Sequence, residues 1–231
     1  MIDRSLRHLA GVVAPLLRDN IDTDVIAPSR LQVTGLGKTG YESILFGNWR
    51  YDENGCESPD FILNQAAYRT ATILLTGANF GCGSSRESAV WALHGFGIKA
   101  IIAPSFGSIF AANCYHNTIL PLALPPDEHA RLVAELHIDA GEPPQAEIDL
   151  EHSRVRATGG PWRSFPIDER PRQLLLEGLD DIDDNLRHRK NIDAYRARDQ
   201  RLHPWLYRPP APACGLRGRR RSPGSSRAGG R

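Results

Sequence analysis

The chain has 231 residues, 41% hydrophobic and 24% charged, with a net charge of +1. That is enough for one domain with a real core and describes an ordinary globular composition. The charge is split unevenly. Residues 201–231 carry eight Arg and no Asp, Glu or Lys, which leaves 20 basic and 27 acidic side chains, a net −7, in residues 1–200. An acidic body with a basic tail argues against a nucleic-acid-binding core.

Four cysteines, Cys56, Cys82, Cys114 and Cys214, are separated by 26, 32 and 100 positions. No CxxC or zinc-like pair exists, and an iron–sulfur cluster needs three or four neighbouring thiolates. We expect each to be a buried thiol, with no disulfide framework.

Taken in chain order, Arg4 and Arg7 precede an apolar run, Leu9 to Leu17. Pro15 interrupts it and Arg18-Asp19 follows where a leader would be cleaved, so it reads as a first strand and the location as cytoplasmic. Ala71 to Thr76 is a short buried strand. A Gly-rich loop, 77–84, leads into a helix over Glu87 to Phe96 with Gly97 as its C-terminal cap. Lys99 to Ala103 is the next strand. Ser108 to Cys114 is a short helix with Ile109, Phe110 and Ala112 inward, and Ile119 to Leu124 is a third strand. The stretch Ala100 to Pro126 has no charged residue, but Pro104, Asn113, His116, Asn117 and Pro121 punctuate it, so it is core rather than a membrane span.

Further on, Asp127 caps a helix to about Leu136, with Leu132, Val133 and Leu136 inward. Ala146 to Leu150 and Arg154 to Ala157 form a hairpin, and Trp162 to Ile167 adds a strand. Asp168 to Gly178 and Ile182 to Asp199 are helical, the latter anchored by Leu186, Ile192 and Tyr195. From about His203 the periodicity ends in Pro, Gly, Ser and Arg, and the expectation is disorder. The alternation of strands and helices suggests an α/β-class domain of three layers, either α/β or β/β/α. The expected division is a domain over 1–200 and a tail over 201–231.

The segment richest in chemistry is Asn79-Phe80-Gly81-Cys82-Gly83-Ser84-Ser85-Arg86-Glu87. It follows a strand and opens a helix. Its glycines allow left-handed backbone, helix-start N–H groups favour negative charge, and Arg86 offers a planar fork for a carboxylate. Ser84 or Ser85 could serve as base or nucleophile if an alkoxide were stabilised there. The segment is neither a Walker loop, nor a GxGxxG fingerprint, nor a GxSxG elbow. As physics it is an anion site; the plainer alternative is a capped helix whose arginine pairs with a surface acid.

This segment resembles the signature of the aconitase superfamily swivelling domain, and in particular the bacterial 3-isopropylmalate dehydratase small-subunit family. The resemblance runs from Gly11 to about Asp199. Asp19 to Pro28 (DNIDTDVIAP) is similar to that family's DNIDTD opening, Leu45 to Arg50 (LFGNWR) to its LF-DWR, Ser58 to Asn64 (SPDFILN) to NPDFVLN, and Ile102 to Phe106 with Ile109-Phe110 to IAPSFADIF. The resemblance implies the three-layer β/β/α swivelling-domain fold and a hydro-lyase that interconverts 2- and 3-isopropylmalate through isopropylmaleate in leucine biosynthesis. It implies a large partner subunit that holds a [4Fe–4S] cluster, a small-molecule substrate, and no cofactor on this chain.

By the same resemblance Ser84 matches the alkoxide base, Arg86 the arginine that binds a substrate carboxylate, and Ser85 a substrate hydrogen-bonding position. Asp24 matches an acidic residue near the site; its alternative is a turn-capping role. Arg30 matches a second substrate arginine. Leu31 to Tyr41, with Lys38 and Thr39, matches the loop that selects the substrate side chain. Two departures stand out: the loop reads VTGLGKTGY where the family has VTRTGF, and Ser88 stands where the family often has His. Homoaconitase or citraconate-type small subunits share the catalytic loop and are the rival substrates' enzymes. A stand-alone anion- or RNA-binding module is the rival from another class.

Overall fold

The computed structural model describes residues 5–32, 39–83, 86–138, 141–179 and 181–207. It divides into two units, Met1–Leu186 and Arg187–Arg231. The first unit is built on a seven-stranded sheet: β1 (His8–Leu16), β2 (Ile73–Thr76), β3 (Ala100–Ala103), β4 (Leu120–Ala123), β5 (Gln145–Asp149), β6 (Arg154–Ala157) and β7 (Arg163–Ser164). The spatial order is β4-β3-β2-β1-β5-β6-β7. β1 to β4 pair in parallel, and β5 to β7 continue from the other edge of β1 as an antiparallel half.

Strand residues alternate between two cores, as the pleat requires. Ala14, Leu74 and Ile101 join one core; Val13, Ile73, Leu75, Ala100 and Ile102 join the other. Because both faces of β2 and β3 are covered, these strands read as uninterrupted apolar runs. The first core is closed by α3 (Glu87–Phe96) and α4 (Ser108–His116), with the short helices α1 (Thr23–Ile26) and α2 (Gly47–Arg50) beside them. The second takes Leu120 and Leu122 of the parallel half together with Ala146, Ile148, Val155 and Ala157 of the antiparallel half, plus α5 (Pro126–Glu135) and α6 (Glu169–Glu177). A curled sheet whose halves share a core, with helices on the other face, is the expected β/β/α arrangement.

The hairpin β5–β6 is held by Asp149, whose side chain is fully buried. Burial disfavours its charge, but His152 Nδ1 at 2.8 Å and Arg154 Nε at 2.9 Å more than offset this, and the carboxyl lies below its ordinary pKa. The motifs at 45–50 and 58–64 clasp each other: buried Arg50 donates to Asn64 Oδ1 at 3.0 Å, while Asn64 Nδ2 donates to the carbonyls of Arg50 and Ser58 at 2.7 and 2.9 Å.

Several expectations need correction. In α4, Phe110 and Cys114 point inward, whereas Ile109 is 53% exposed and Ala112 is exposed. Positions four apart share a face, so Phe110 and Cys114 form the inward stripe and Ile109 is turned off it. α5 begins with Pro126 at its first turn and Asp127 within that turn, so Asp127 favours the helix through the dipole and not as the cap. Only Arg163–Ser164 of the Trp162–Ile167 segment pairs as a strand; Pro166 lacks the N–H needed to continue. The Ile182–Asp199 helix is two, α7 (Asp181–Arg187) and α8 (Arg189–Leu202), divided at His188. Leu186, Ile192 and Tyr195 are not anchors: they are 52%, 39% and 62% exposed. Apolar spacing marks a face but does not supply the surface that would bury it. In the second unit, α8 is followed by a single 3-10 turn, Pro204–Tyr207; residues 208–231 lie outside the described residues.

Gly81 yields a test of the packing. Its φ is +71°, and a Cβ there would overlap the Phe110 ring. Gly55 has a similar φ of +79° but open space around it. Gly55→Ala should lose about 1 kcal/mol, the left-handed cost alone. Gly81→Ala should lose that plus an overpacking cost of about 1–3 kcal/mol. Urea unfolding of both variants checks it: equal losses would show that the Phe110 contact yields freely.

Candidate active site

The parallel strands end at one edge, where α/β sheets usually bind ligands. Beyond Leu16 and Thr76 the pairing of β1 and β2 does not stop. Gly77 N–H donates to Arg18 O at 3.2 Å, Asn20 N–H to Ala78 O at 2.9 Å, Gly81 N–H to Ile21 O at 2.7 Å and Thr23 N–H to Cys82 O at 3.0 Å. The chain after β3 joins from the other side. Phe80 N–H donates to Ser105 O at 3.1 Å, Gly107 N–H to Phe80 O at 2.9 Å and Asn79 N–H to Ser105 Oγ at 2.9 Å. Three loops from three strands are thus zipped by backbone hydrogen bonds.

The local sequence explains how they fit. Asn20 and Asn79 adopt left-handed backbone at φ 57° and 58°, which Asn tolerates better than most residues, and their side chains bond at 2.9 Å. Gly107 passes so close that a Cβ would meet Gly81 O at 2.5 Å. Phe80 is fully buried and packs edge-on against Phe106 and Phe110 at 6.5 and 5.4 Å, which pins the loop from beneath.

At the mouth, Asp22 caps α1: its Oδ1 accepts from the N–H groups of Asp24 and Val25 at 2.9 and 2.7 Å. The capping duty thus falls to Asp22. Asp24 faces out, accepts the Ser29 N–H at 3.0 Å and pairs with Arg86 Nη1. Asp24 and Arg86 are 62 residues apart in the chain. The Ser29 N–H first, and then the Arg86 hydrogen bond, hold the Asp24 carboxyl below its usual range. Arg86 sits immediately before α3, in extended backbone, and is 30% exposed. Asp24 takes only the Nη1 corner of the guanidinium, so among the described residues Nε and Nη2 remain for another carboxylate.

Ser84, Ser85 and Lys38 lie outside the described residues. Arg30 follows Ser29 in a 3-10 turn, Ser29–Leu31, and donates to Asn48 Oδ1 at 2.6 Å. Thr39 is exposed. The geometry therefore brings Asp24 and Arg86 together and gives Arg30 a neighbour of its own. Sequence reasoning did not find Gln32, whose Nε2 donates to Ser88 Oγ at 3.0 Å, nor Arg18, whose guanidinium lies 4.8 Å over the Trp49 ring. The Ser88 departure was the available signal for the first.

Among the described residues no group of three or more His, Cys, Asp or Glu could hold a metal ion. Cys56 is exposed, Cys82 half-buried and Cys114 buried, and burial pushes the Cys114 thiol well up. Cys114 meets the expectation of a buried thiol, whereas Cys56 and Cys82 do not, and Cys214 lies outside the described residues. No helix among the described residues is long and apolar enough to cross a membrane.

Residues 4–127 match the model of the aconitase C-terminal domain. The 3-isopropylmalate dehydratase small subunit of Rhodospirillum centenum is 48% identical over 197 residues, covering 85% of this chain and 96% of that one. That of Rhodospirillum rubrum is 48% identical over 200 residues, covering 86% and 94%. Among solved structures, a crystal structure of 3-isopropylmalate dehydratase from Methanocaldococcus jannaschii has a TM-score of 0.56 at 27% identity, covering 82% of this chain and 99% of that chain.

The Asp24 environment predicts a pH response. A carboxyl with a depressed folded pKa contributes stability that is present above its unfolded value of 3.8 and lost as pH falls through the lower folded value. Carboxyl carbon NMR should place the Asp24 midpoint below 3.8. Arg86→Ala should raise that midpoint only part of the way, because the larger cause, the Ser29 N–H, remains. A midpoint unmoved by Arg86→Ala would mean that the pair does not persist in solution.

Proposed function

Because this chain belongs to the aconitase C-terminal domain family, among its 3-isopropylmalate dehydratase small subunits, we propose that it supplies half of the active site that interconverts 2- and 3-isopropylmalate in cytoplasmic leucine biosynthesis. The observation that carries the reading is the pairing of Arg86 with Asp24 at the shared end of the parallel strands. A cation and an acid from distant parts of the sequence meet beside a helix start, where a dicarboxylate would be held.

In this reading Arg86 binds a substrate carboxylate through Nε and Nη2, with Asp24 fixing its other corner. Ser85 hydrogen-bonds substrate. Ser84, as alkoxide, removes the carbon-bound proton; the electron pair forms the double bond of isopropylmaleate as hydroxide leaves, and water adds back in the other sense. An unaided serine is far too weak an acid, so the helix-start N–H groups and the Arg86 cation favour its charged form. Asp24 acts beside this base as the orienting acid, and Arg30 is a second carboxylate contact. Leu31 to Tyr41, with Lys38 and Thr39, receives the isopropyl group. The [4Fe–4S] cluster belongs to the large partner subunit and supplies Lewis acidity toward the leaving hydroxyl. Residues 1–200 are the working domain and 201–231 an accessory tail.

Reconstitution with an iron–sulfur large subunit tests the reading. The purified chain alone should be colourless and inactive, and the complex active; turnover by the lone chain after cluster reconstitution would overturn the division of labour. Arg86→Lys keeps the charge but loses the fork, so kcat/KM should fall roughly 30- to 1,000-fold, the equivalent of about 2–4 kcal/mol. Ser84→Ala should depress kcat far more than it raises KM, since a base acts in the transition state. If Arg86 serves only as a surface ion pair, Arg86→Lys leaves the kinetics near wild type.

Deleting residues 208–231 should leave activity intact and shift the melting temperature of the complex by no more than a few degrees, because that segment lacks apolar periodicity. A large drop would show that it docks on the body.

A further inference from the structure

α3 does more than present Arg86. Its first turn carries Ser88, which is 8% exposed, and Ser88 Oγ accepts a hydrogen bond from Gln32 Nε2 at 3.0 Å. One turn on, Trp91 meets the buried Tyr41 ring edge-on at 5.2 Å. Gly95 then faces Glu42 so closely that a Cβ would lie 2.7 Å from its Oε2. Residues 32 and 41 thus touch the same helix three positions apart, about 4.5 Å along its axis. Nine residues extended would span roughly 30 Å. Both ends of the segment that the family resemblance assigns to the substrate side chain are therefore fastened to a single turn of the helix that Arg86 begins.

The two fastenings differ in kind. Tyr41 belongs to the apolar core and is part of the fold. The Gln32–Ser88 bond joins two neutral polar side chains, of which Ser88 is buried and Gln32 half-buried. It ties the helix that Arg86 begins to the chain at residue 32, where the segment assigned to the substrate side chain starts. We propose that Gln32 and Ser88 are positioning residues for substrate discrimination, acting through this strut on the choice of side chain and not on the chemistry. The proposal rests on the dehydratase reading above.

The test uses the full chain in its complex with the large subunit and compares hydration of isopropylmaleate with that of methylmaleate (citraconate). These share two carboxylates and differ only in the side chain. Ser88→Ala should lower kcat/KM for isopropylmaleate by roughly three- to tenfold, mainly through KM, the effect of one neutral hydrogen bond. Methylmaleate turnover should stay within about twofold of wild type, since its carboxylates are held as before. Gln32→Ala should lower kcat/KM for isopropylmaleate to the same extent and by more than for methylmaleate, and the double variant should lose no more isopropylmaleate activity than either single one, because both remove one bond. Ser88→Thr keeps the hydroxyl and should restore the preference. Gln32 lies nearer the surface, so Gln32→Ala carries the test should Ser88→Ala fail to fold by circular dichroism. Parallel losses on both substrates, additive losses in the double variant, or no rescue by Ser88→Thr would overturn the strut while leaving the dehydratase reading intact. A wild-type complex without activity on isopropylmaleate would overturn that reading and the strut with it.

Discussion

The continuation of backbone pairing past the ends of β1, β2 and β3 is the constraint on which the site depends. Peptide N–H and C=O groups at strand ends must find partners or water. Here they find one another: Arg18 to Thr23 zips to Gly77 to Cys82, and Phe80 zips to the chain after β3. Loops joined this way have little freedom to drift, and α1 and α3 leave from their ends with directions already set. The close approach of these backbones needs Gly77, where a Cβ would meet the Arg18 carbonyl at 2.6 Å, and Gly107, where it would meet Gly81 O at 2.5 Å; Gly81 leaves room for the Phe110 ring beneath. The glycines of the motif therefore serve the scaffold at least as much as any ligand.

On that platform the pairing of Arg86 with Asp24 follows from local rules. Asp22 caps α1 and turns the next carboxylate outward; Ser29 N–H holds it there. An exposed ion pair of this kind contributes little to stability in water, so the pair is better understood as orientation. A guanidinium with one corner occupied has fewer rotamers to lose when a second carboxylate arrives, which lowers the entropic cost of binding. The plainer reading of Arg86, that it pairs with a surface acid, and the proposed ligand reading are thus not exclusive: in the proposed site the acid that pairs with it would also aim it.

The motifs at 45–50 and 58–64 illustrate a different use of recognisable sequence. Arg50 lies under the surface and spends its hydrogen bonds on Asn64 and the Glu42 carbonyl, with the Phe96 ring 5.4 Å away. These residues brace the region between β1 and β2 that otherwise consists of short helical turns, and through Phe96 they brace α3. Their pattern is shared with the family, yet what they do is mechanical.

Much of this molecule was legible before any coordinates. The buried strands, the bounds of α3 with Gly97 behind it, the β5–β6 hairpin and the left-handed glycines of the 79–87 segment follow from short-range rules: apolar period, capping and turn chemistry act within a few residues and leave their mark in order along the chain. The family resemblance pointed to Asp24 and Arg86, but no local rule says that residues 62 apart form an ion pair, or that Gln32 reaches Ser88. The same holds for the inward choice of Phe110 and Cys114 over Ile109 in α4, and for the exposure of Leu186, Ile192 and Tyr195. Local periodicity tells which side chains share a face; what that face meets depends on how separate elements pack, and burial and pairing at long range are decided only when the whole chain closes on itself.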